Sequence, residues 1–234
     1  QNAGYYMNAG ADETRRIFMD QKSAAWVDEQ NYLHIANDNG VISYLDMSNK
    51  LYKSGYVQKG VSMWDDTWMN GLSSESSTIF GYFGTTWSVY YSMNSEMNDM
   101  WRICEGPAPY HWGGSYIMAA KNCNNKELAS FLMYELCCDE DIMYKIGSET
   151  LDFVNNKKVI EREIDWNIGC TNILGTQNPL PVWDTNAKKL RMTNSTAFDA
   201  TIEKYIIAAG ELYNEGQFTS SAEAVESVVD ALTQ

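Results

Sequence analysis

Gly106-Pro107-Ala108-Pro109-Tyr110-His111-Trp112-Gly113-Gly114-Ser115-Tyr116-Ile117-Met118-Ala119-Ala120-Lys121-Asn122-Cys123-Asn124-Asn125-Lys126-Glu127-Leu128 is the stretch whose reading decides the fold. Pro107 and Pro109 close whatever element precedes them, because proline has no N–H to give a ladder or a helix. Gly113-Gly114 then frees the backbone to cross over into the apolar run Tyr116–Ala120, which reads as a buried strand. Asn124 stands as N-cap of the next helix with Glu127 at the capping-box position. Leu128, Phe131, Leu132 and Leu136 form one apolar face of that helix. A strand followed at once by an amphipathic helix is the unit of an α/β fold.

Upstream, Met100-Trp101-Arg102-Ile103-Cys104 and Thr78-Ile79-Phe80-Gly81-Tyr82-Phe83 are further strand candidates. Gly81 and Gly84 imply close approach of another backbone or of a ligand. Ser62 serves as N-cap of a helix carrying Asp65 and Asp66 in its first turn, where the macrodipole favours carboxylates, and Trp64 and Trp68, four apart, share a face. Val41, Tyr44, Leu45, Ser48 and Tyr52 recur at helical spacing up to Ser54-Gly55. Downstream, the chain past Gly147 reads as irregular, with at most three short helical or turn pieces, until Phe198, Ile202, Tyr205, Ile206 and Ala209 announce a long helix. The last helix opens on Ser220-x-x-Glu223 and buries Val225, Val228, Val229 and Leu232. The expected architecture has the strands near 78–83 and 100–104 in a sheet flanked by the helices at Val41, Ala197 and Ser221.

Composition excludes several classes. The 234 residues are 44% hydrophobic, which rules out disorder, and carry a formal charge of −14, which repels a phosphate backbone, so no nucleic-acid partner is expected. No apolar run approaches the ~20 residues of a membrane helix, and Gln1-Asn2-Ala3-Gly4 lacks a secretion signal; Gln1 reads as a cut inside a longer polypeptide. Cys104, Cys123, Cys137, Cys138 and Cys170 are odd in number and contain no Cys-x-x-Cys, and only His34 and His111 accompany them, so no metal site and no cofactor are expected. Cys137-Cys138 closes an apolar helical pattern and reads as a pair of buried thiols. The 8 Trp, 15 Tyr and 7 Phe exceed what a core needs, so some rings are expected at a binding surface.

Two blocks carry a resemblance. Trp64–Gly71 with Thr78–Trp87, and Gly106–Leu136 with its Gly-Pro, Trp-Gly-Gly-Ser, apolar strand, Lys-Asn-x-Asn-Asn-Lys turn and Glu-Leu-Ala, resemble the family 1 extracellular solute-binding proteins, the carbohydrate-binding subunits of bacterial ABC importers. Ser148–Lys158 and the tail from Gln177 to Leu232 are also similar to that family. The resemblance covers nearly the whole chain but only the second half of the family's pattern. It implies a periplasmic-binding-protein-like (type II) two-lobe α/β fold, of which this chain supplies mainly the C-terminal lobe. Residues 1–112 would form the first part of that lobe with the hinge, 113–147 a crossover segment of the N-terminal lobe, and 148–234 the closing helices. The partners implied are a carbohydrate ligand, ABC permease subunits, and the absent N-terminal half or a partner chain. The place implied is extracellular or periplasmic, with anchoring through a lipoprotein N-terminus not present in this chain. Without its other half the crossover would expose Ile117, Met118, Phe131 and Leu132.

Sugar capture needs flat apolar rings for the C–H faces of a pyranose and hydrogen-bonding groups for its hydroxyls. The resemblance makes Trp87 a cleft tryptophan; Trp112, Trp64, His111, Gly113 and Gly114 complete the candidate ligand-binding set, each weighed against an ordinary core or structural role. No catalytic residue is expected. The alternative of a glycoside hydrolase would draw on Asp65, Asp66, Glu105 and Asp184, although no nucleophile elbow, phosphate loop or zinc motif stands beside them. A surface lectin-type binding module would use the same aromatic platforms.

Overall fold

A computed structural model describes residues 5–73 and 77–233. The chain divides into two compact units, Gln1–Phe83 with Leu190–Gln234, and Gly84–Lys189. Ten α-helices are assigned among the described residues: α1 Arg15–Met19, α2 Asn39–Lys53, α3 Asp66–Ser73, α4 Ser88–Ser92, α5 Lys126–Cys137, α6 Glu140–Thr150, α7 Lys157–Asp165, α8 Leu180–Lys189, α9 Asp199–Asn214 and α10 Ser221–Thr233. None of the described helices is long and apolar enough to cross a membrane.

In the first unit α2 starts where the Asp38 carboxylate accepts the Val41 N–H (2.9 Å) and stops at Ser54 and Gly55, whose φ of 67° only glycine adopts freely. Its Val41, Tyr44 and Leu45 pack with Ile202, Ile206 and Ala209 of α9 and with Ala224, Val225 and Val228 of α10, as the helical spacings require. Asn214 donates to Ser48 Oγ (3.0 Å) and Asn49 to the Tyr213 carbonyl (2.8 Å), so the polar groups buried between α2 and α9 are satisfied. At α10 the capping pair is offset by one residue from the expected box: Ser220 Oγ accepts the Glu223 N–H, but the Glu223 carboxylate reaches back to Thr219 N–H (2.7 Å).

The strand expectations are only partly met. Tyr6 forms a parallel bridge with Ile79, donating to the Thr78 carbonyl and accepting from Phe80 N–H, while Met7 N–H donates to Tyr56 O and Gln58 N–H to Ala9 O. Segment 6–9 thus lies between 56–58 and 78–80, the latter two following α2 and α3. This β-α-β order is the rudiment of the expected α/β sheet, reduced to one bridge and two flanking hydrogen bonds. Met100–Cys104 forms no strand. Both main-chain polar groups of Ile103 are taken by the Gln177 amide, which accepts its N–H (2.8 Å) and donates to its carbonyl (2.7 Å), so a side chain occupies the place of a neighbouring strand.

The second unit has its own core of Val89, Met143, Val154, Val159, Ile160, Leu174, Leu180 and Trp183. Past Gly147 it carries three helical pieces, α7, a 3₁₀ turn at Asn172–Leu174, and α8. Asp139 caps α6, and Asn156, in the Leu151–Lys158 segment, caps α7 by accepting from Lys158 and Val159 N–H. Gly147 lets these helices close: a Cβ there would lie 2.2 Å from Glu163 Oε1.

The helix α5 departs from its expectations. It begins at Lys126, with Asn125 rather than Asn124 at the N-cap and no side-chain cap bond there, and it buries no residue. Leu128, Phe131, Leu132 and Leu136 are 46–57% exposed, and Met118 in the preceding apolar run is 87% exposed. Tyr116–Ala120 is therefore not a buried strand here, whereas the exposure of Ile117, Met118, Phe131 and Leu132 is as the resemblance implied. For the same reason Cys137 is only half-buried and Cys138 is exposed; burial of this pair would need a cover over α5.

Candidate functional site

In the first unit an aromatic cluster is assembled around one carboxylate. Asp65, not Ser62, caps α3: its Oδ1 accepts Trp68 N–H (2.7 Å) and its Oδ2 accepts Ser62 N–H (2.9 Å). The indoles of Trp64 and Trp68 meet as the i, i+4 spacing requires, with centroids 4.7 Å apart and planes tilted by 50°. Trp68 is buried, Trp64 half-buried. Tyr82 stands edge-on to Trp68 at 4.9 Å and donates its hydroxyl to the Trp68 carbonyl, in space that a Cβ at Gly71 would fill.

Beneath them Glu13, fully buried, accepts three N–H donors: Gly10 N (2.8 Å) and Trp68 Nε1 (3.0 Å) on Oε1, and Phe83 N (3.2 Å) on Oε2. Burial pushes this carboxyl up to about 7, and Asp12 adds repulsion, while the three donors pull the other way. Trp64 itself holds φ at 77°, a left-handed backbone that a bulky residue rarely adopts.

In the second unit Thr85 and Ser88 exchange hydrogen bonds, Ser88 N–H to Thr85 Oγ1 (3.0 Å) and Thr85 N–H to Ser88 Oγ (3.1 Å), which fixes the turn carrying Trp87. Gly84 makes room for Ser88 Oγ, and the Tyr110 hydroxyl donates to the Gly84 carbonyl (2.5 Å). Trp87 is 39% exposed and meets the more exposed ring of Tyr91 edge-to-face, centroids 5.6 Å apart. The two rings make an open corner on a rigid turn. His111 and Trp112 are half-buried, and Gly113 and Gly114 are exposed; a Cβ at either glycine would meet nothing within 4 Å. Trp87, His111, Trp112, Gly113 and Gly114 thus belong to one unit and Trp64 to the other. A groove of about 290 Å³ in the first unit, lined by Asp12, Tyr44, Tyr52, Gln58 and Glu211 among others, contains none of the sequence-nominated residues.

Three of the four carboxylates considered for hydrolysis have structural work. Asp65 caps α3, Glu105 pairs with Lys189 (2.5 Å) and Asp184 with Lys188 (2.5 Å). Among the described residues no cluster of three or more His, Cys, Asp or Glu is placed to hold a metal ion. Tyr91 was legible as the i+4 neighbour of Trp87. Glu13 was not, since nothing in an acidic chain marks which carboxylate is buried.

No family model and no curated protein matches the sequence. Solved structures do. One is an extracellular solute-binding protein of family 1, superposing with a TM-score of 0.81 at 15% identity over 98% of this chain and 59% of that one. Another is the ABC transporter associated binding protein from B. animalis subsp. lactis Bl-04 in complex with beta-1,6-galactobiose, with a TM-score of 0.73 at 17% identity over 98% of this chain and 61% of that one. The fold is that of solute-binding proteins. The chain spans about three fifths of the length of these solved structures. The resemblance seen in the Gly106–Leu136 block is accompanied by a backbone match over nearly the whole chain.

Proposed function

We propose that the protein is the substrate-binding component of a bacterial ABC importer, capturing a sugar or oligosaccharide between two lobes and delivering it to the permease. The observation that carries this reading is the Trp87–Tyr91 corner: two exposed rings, perpendicular and held by a hydrogen-bonded turn, on a chain with a solute-binding-protein fold. One ring face suits the C–H face of a pyranose, and the second wall limits how the sugar can turn. Trp112 and His111 are proposed as further ligand contacts in the same unit, with Gly113 and Gly114 leaving the approach open, and Trp64 is proposed as a ligand contact offered by the other unit. The fold likeness is to binding proteins, which supports binding without chemistry.

The finer assignment is also a proposal. Residues 1–112 and 148–234 belong to the C-terminal lobe, and 113–147 cross to an N-terminal lobe contributed by further polypeptide. The bare apolar face of α5 and the share of the solved structures left unmatched support it. An extracellular or periplasmic, lipid-anchored protein accords with this role. A thermal-shift panel of maltose, cellobiose and β-1,6-galactobiose, with and without the N-terminal half, tests the reading, because a ligand that binds only the folded state raises Tm by mass action. A panel that leaves Tm unmoved in both arms refutes it.

A further inference from the structure

We infer that Glu13 is a positioning residue for the ligand surface: its carboxylate fixes the Trp68 indole and the Phe83 backbone, and through Trp68 it holds Trp64 in the conformation that would meet a sugar. The inference rests on the proposed binding role of Trp64. Nothing else among the contacts described here accepts the Trp68 Nε1–H, and Trp68 is 2% exposed, so water does not replace the carboxylate. Trp64 needs such support. Its left-handed backbone is strained for a bulky side chain, and strain of that kind persists only where the surroundings hold it. The Asp65 cap and the Trp68 ring are among the groups that hold it, and Trp68 is oriented by Glu13.

Three N–H donors converge on the Glu13 carboxylate. An acceptor-only group is what such a site requires, and a glutamine meets it in part, since its one oxygen can still take Gly10 N–H and Trp68 Nε1–H while its NH₂ would face Phe83 N–H. The other titratable groups bearing on Glu13 are Asp12, whose charge opposes its ionisation, and Tyr82, itself held above the ordinary tyrosine range by burial and by Glu13.

The test uses the Trp64–Trp68 pair, close and tilted enough to give an exciton couplet in circular dichroism, assigned by its loss in Trp64→Phe. Glu13→Leu should lose the couplet while keeping its helical signal, and should bind the sugar selected by the panel roughly tenfold more weakly. Glu13→Gln should restore the couplet and most of the affinity. A couplet unchanged in Glu13→Leu overturns the inference. Should Glu13→Leu not fold, the ¹⁵N-indole spectrum of the unmodified chain decides, with Trp68 assigned by Trp68→Phe. The Trp68 Nε1–H should exchange slowly and move between about pH 5 and 8 as Glu13 titrates; fast exchange with no movement overturns the inference. If no sugar in the panel binds the unmodified protein, the proposed function falls, and the couplet and indole signals still decide the role of Glu13.

Discussion

If the apolar face of α5 is uncovered in this chain, its leucines should be nearly worthless to the chain's own stability, and Leu132 and Leu174 of the same unit offer the comparison. Leu174 is fully buried among Val159, Ile160 and Trp183, and Leu174→Ala should cost about 2–5 kcal/mol as a core deletion that leaves a cavity. Leu132 is 48% exposed. Full burial of a leucine is worth about 1.5–3 kcal/mol, so half of it gives about 0.8–1.5 kcal/mol. Alanine returns a few tenths of that as helix propensity. Leu132→Ala should therefore fall within about 1 kcal/mol of the unmodified chain. Hydrogen exchange of the α7 amides (Lys157–Asp165) reads the opening of this unit by itself.

The same side chains should become costly once a partner covers them. With the N-terminal half supplied as a second polypeptide, Leu132→Ala should weaken association, while in its absence Phe131→Ser with Leu132→Ser should lower dye binding and self-association seen by light scattering. A Leu132→Ala cost equal to that of Leu174→Ala would show that α5 packs within the chain, and would refute the reasoning from exposure.

Trp87→Ala should weaken sugar binding about tenfold to a hundredfold in titration calorimetry with little change in Tm, because the ring is open on one side; unchanged affinity with a large loss of Tm would return Trp87 to the core. Glu13 binds a proton more tightly folded, near 7, than unfolded, near 4.5, so its contribution to stability is fully present below about pH 4.5 and declines as pH rises to about 7, by up to about 1.4 kcal/mol per unit. Urea unfolding across that window should show the decline, and Glu13→Gln should flatten it; Asp28 and Glu223, held below the usual range by hydrogen bonds, act at more acid pH. Gly147→Ala should lose about 1–3 kcal/mol despite the better helix propensity of alanine, since its Cβ would sit against the buried Glu163 carboxylate. A calorimetric Tm at or above that of the unmodified chain would show that Glu163 moves aside freely.

Helices whose apolar face is covered within the chain were legible in the sequence. The spacing of Val41, Tyr44 and Leu45 and that of Ile202, Ile206 and Ala209 describe two apolar stripes; both helices are found, and the structure packs the stripes against each other where the sequence alone has them flanking a sheet. Strands were harder, because a strand is defined by its neighbour. Thr78–Phe83 reaches a single bridge to Tyr6, and Met100–Cys104 has β-forming residues but receives a glutamine side chain where a strand was expected. The N-cap lies three residues later than expected at α3 and one later at α5, and at α10 the Glu223 carboxylate turns to Thr219, because neighbouring Asp, Asn, Ser and Thr compete for the same N–H groups.

The candidate site was legible in proportion to how much of it is aromatic. Trp64 and Trp87 stand out in sequence because large rings are costly to leave half-exposed, and the i+4 rule leads from each to its partner, Trp68 and Tyr91. What holds the rings is written in residues without a sequence signature. Glu13 is one of 31 acidic residues, and Gly71 one of 16 glycines. Their roles arise from contacts between residues well apart in the chain: Glu13 meets Trp68 and Phe83, and Gly71 meets the Tyr82 hydroxyl. A tryptophan that is to meet a ligand must be both exposed and immobile, and those demands oppose each other, since exposure removes the contacts that fix a ring. The structure divides them between residues. At Trp64 a half-buried ring leans on a buried one, and at Trp87 an exposed ring sits on a reciprocally bonded turn, so immobility is supplied from beneath.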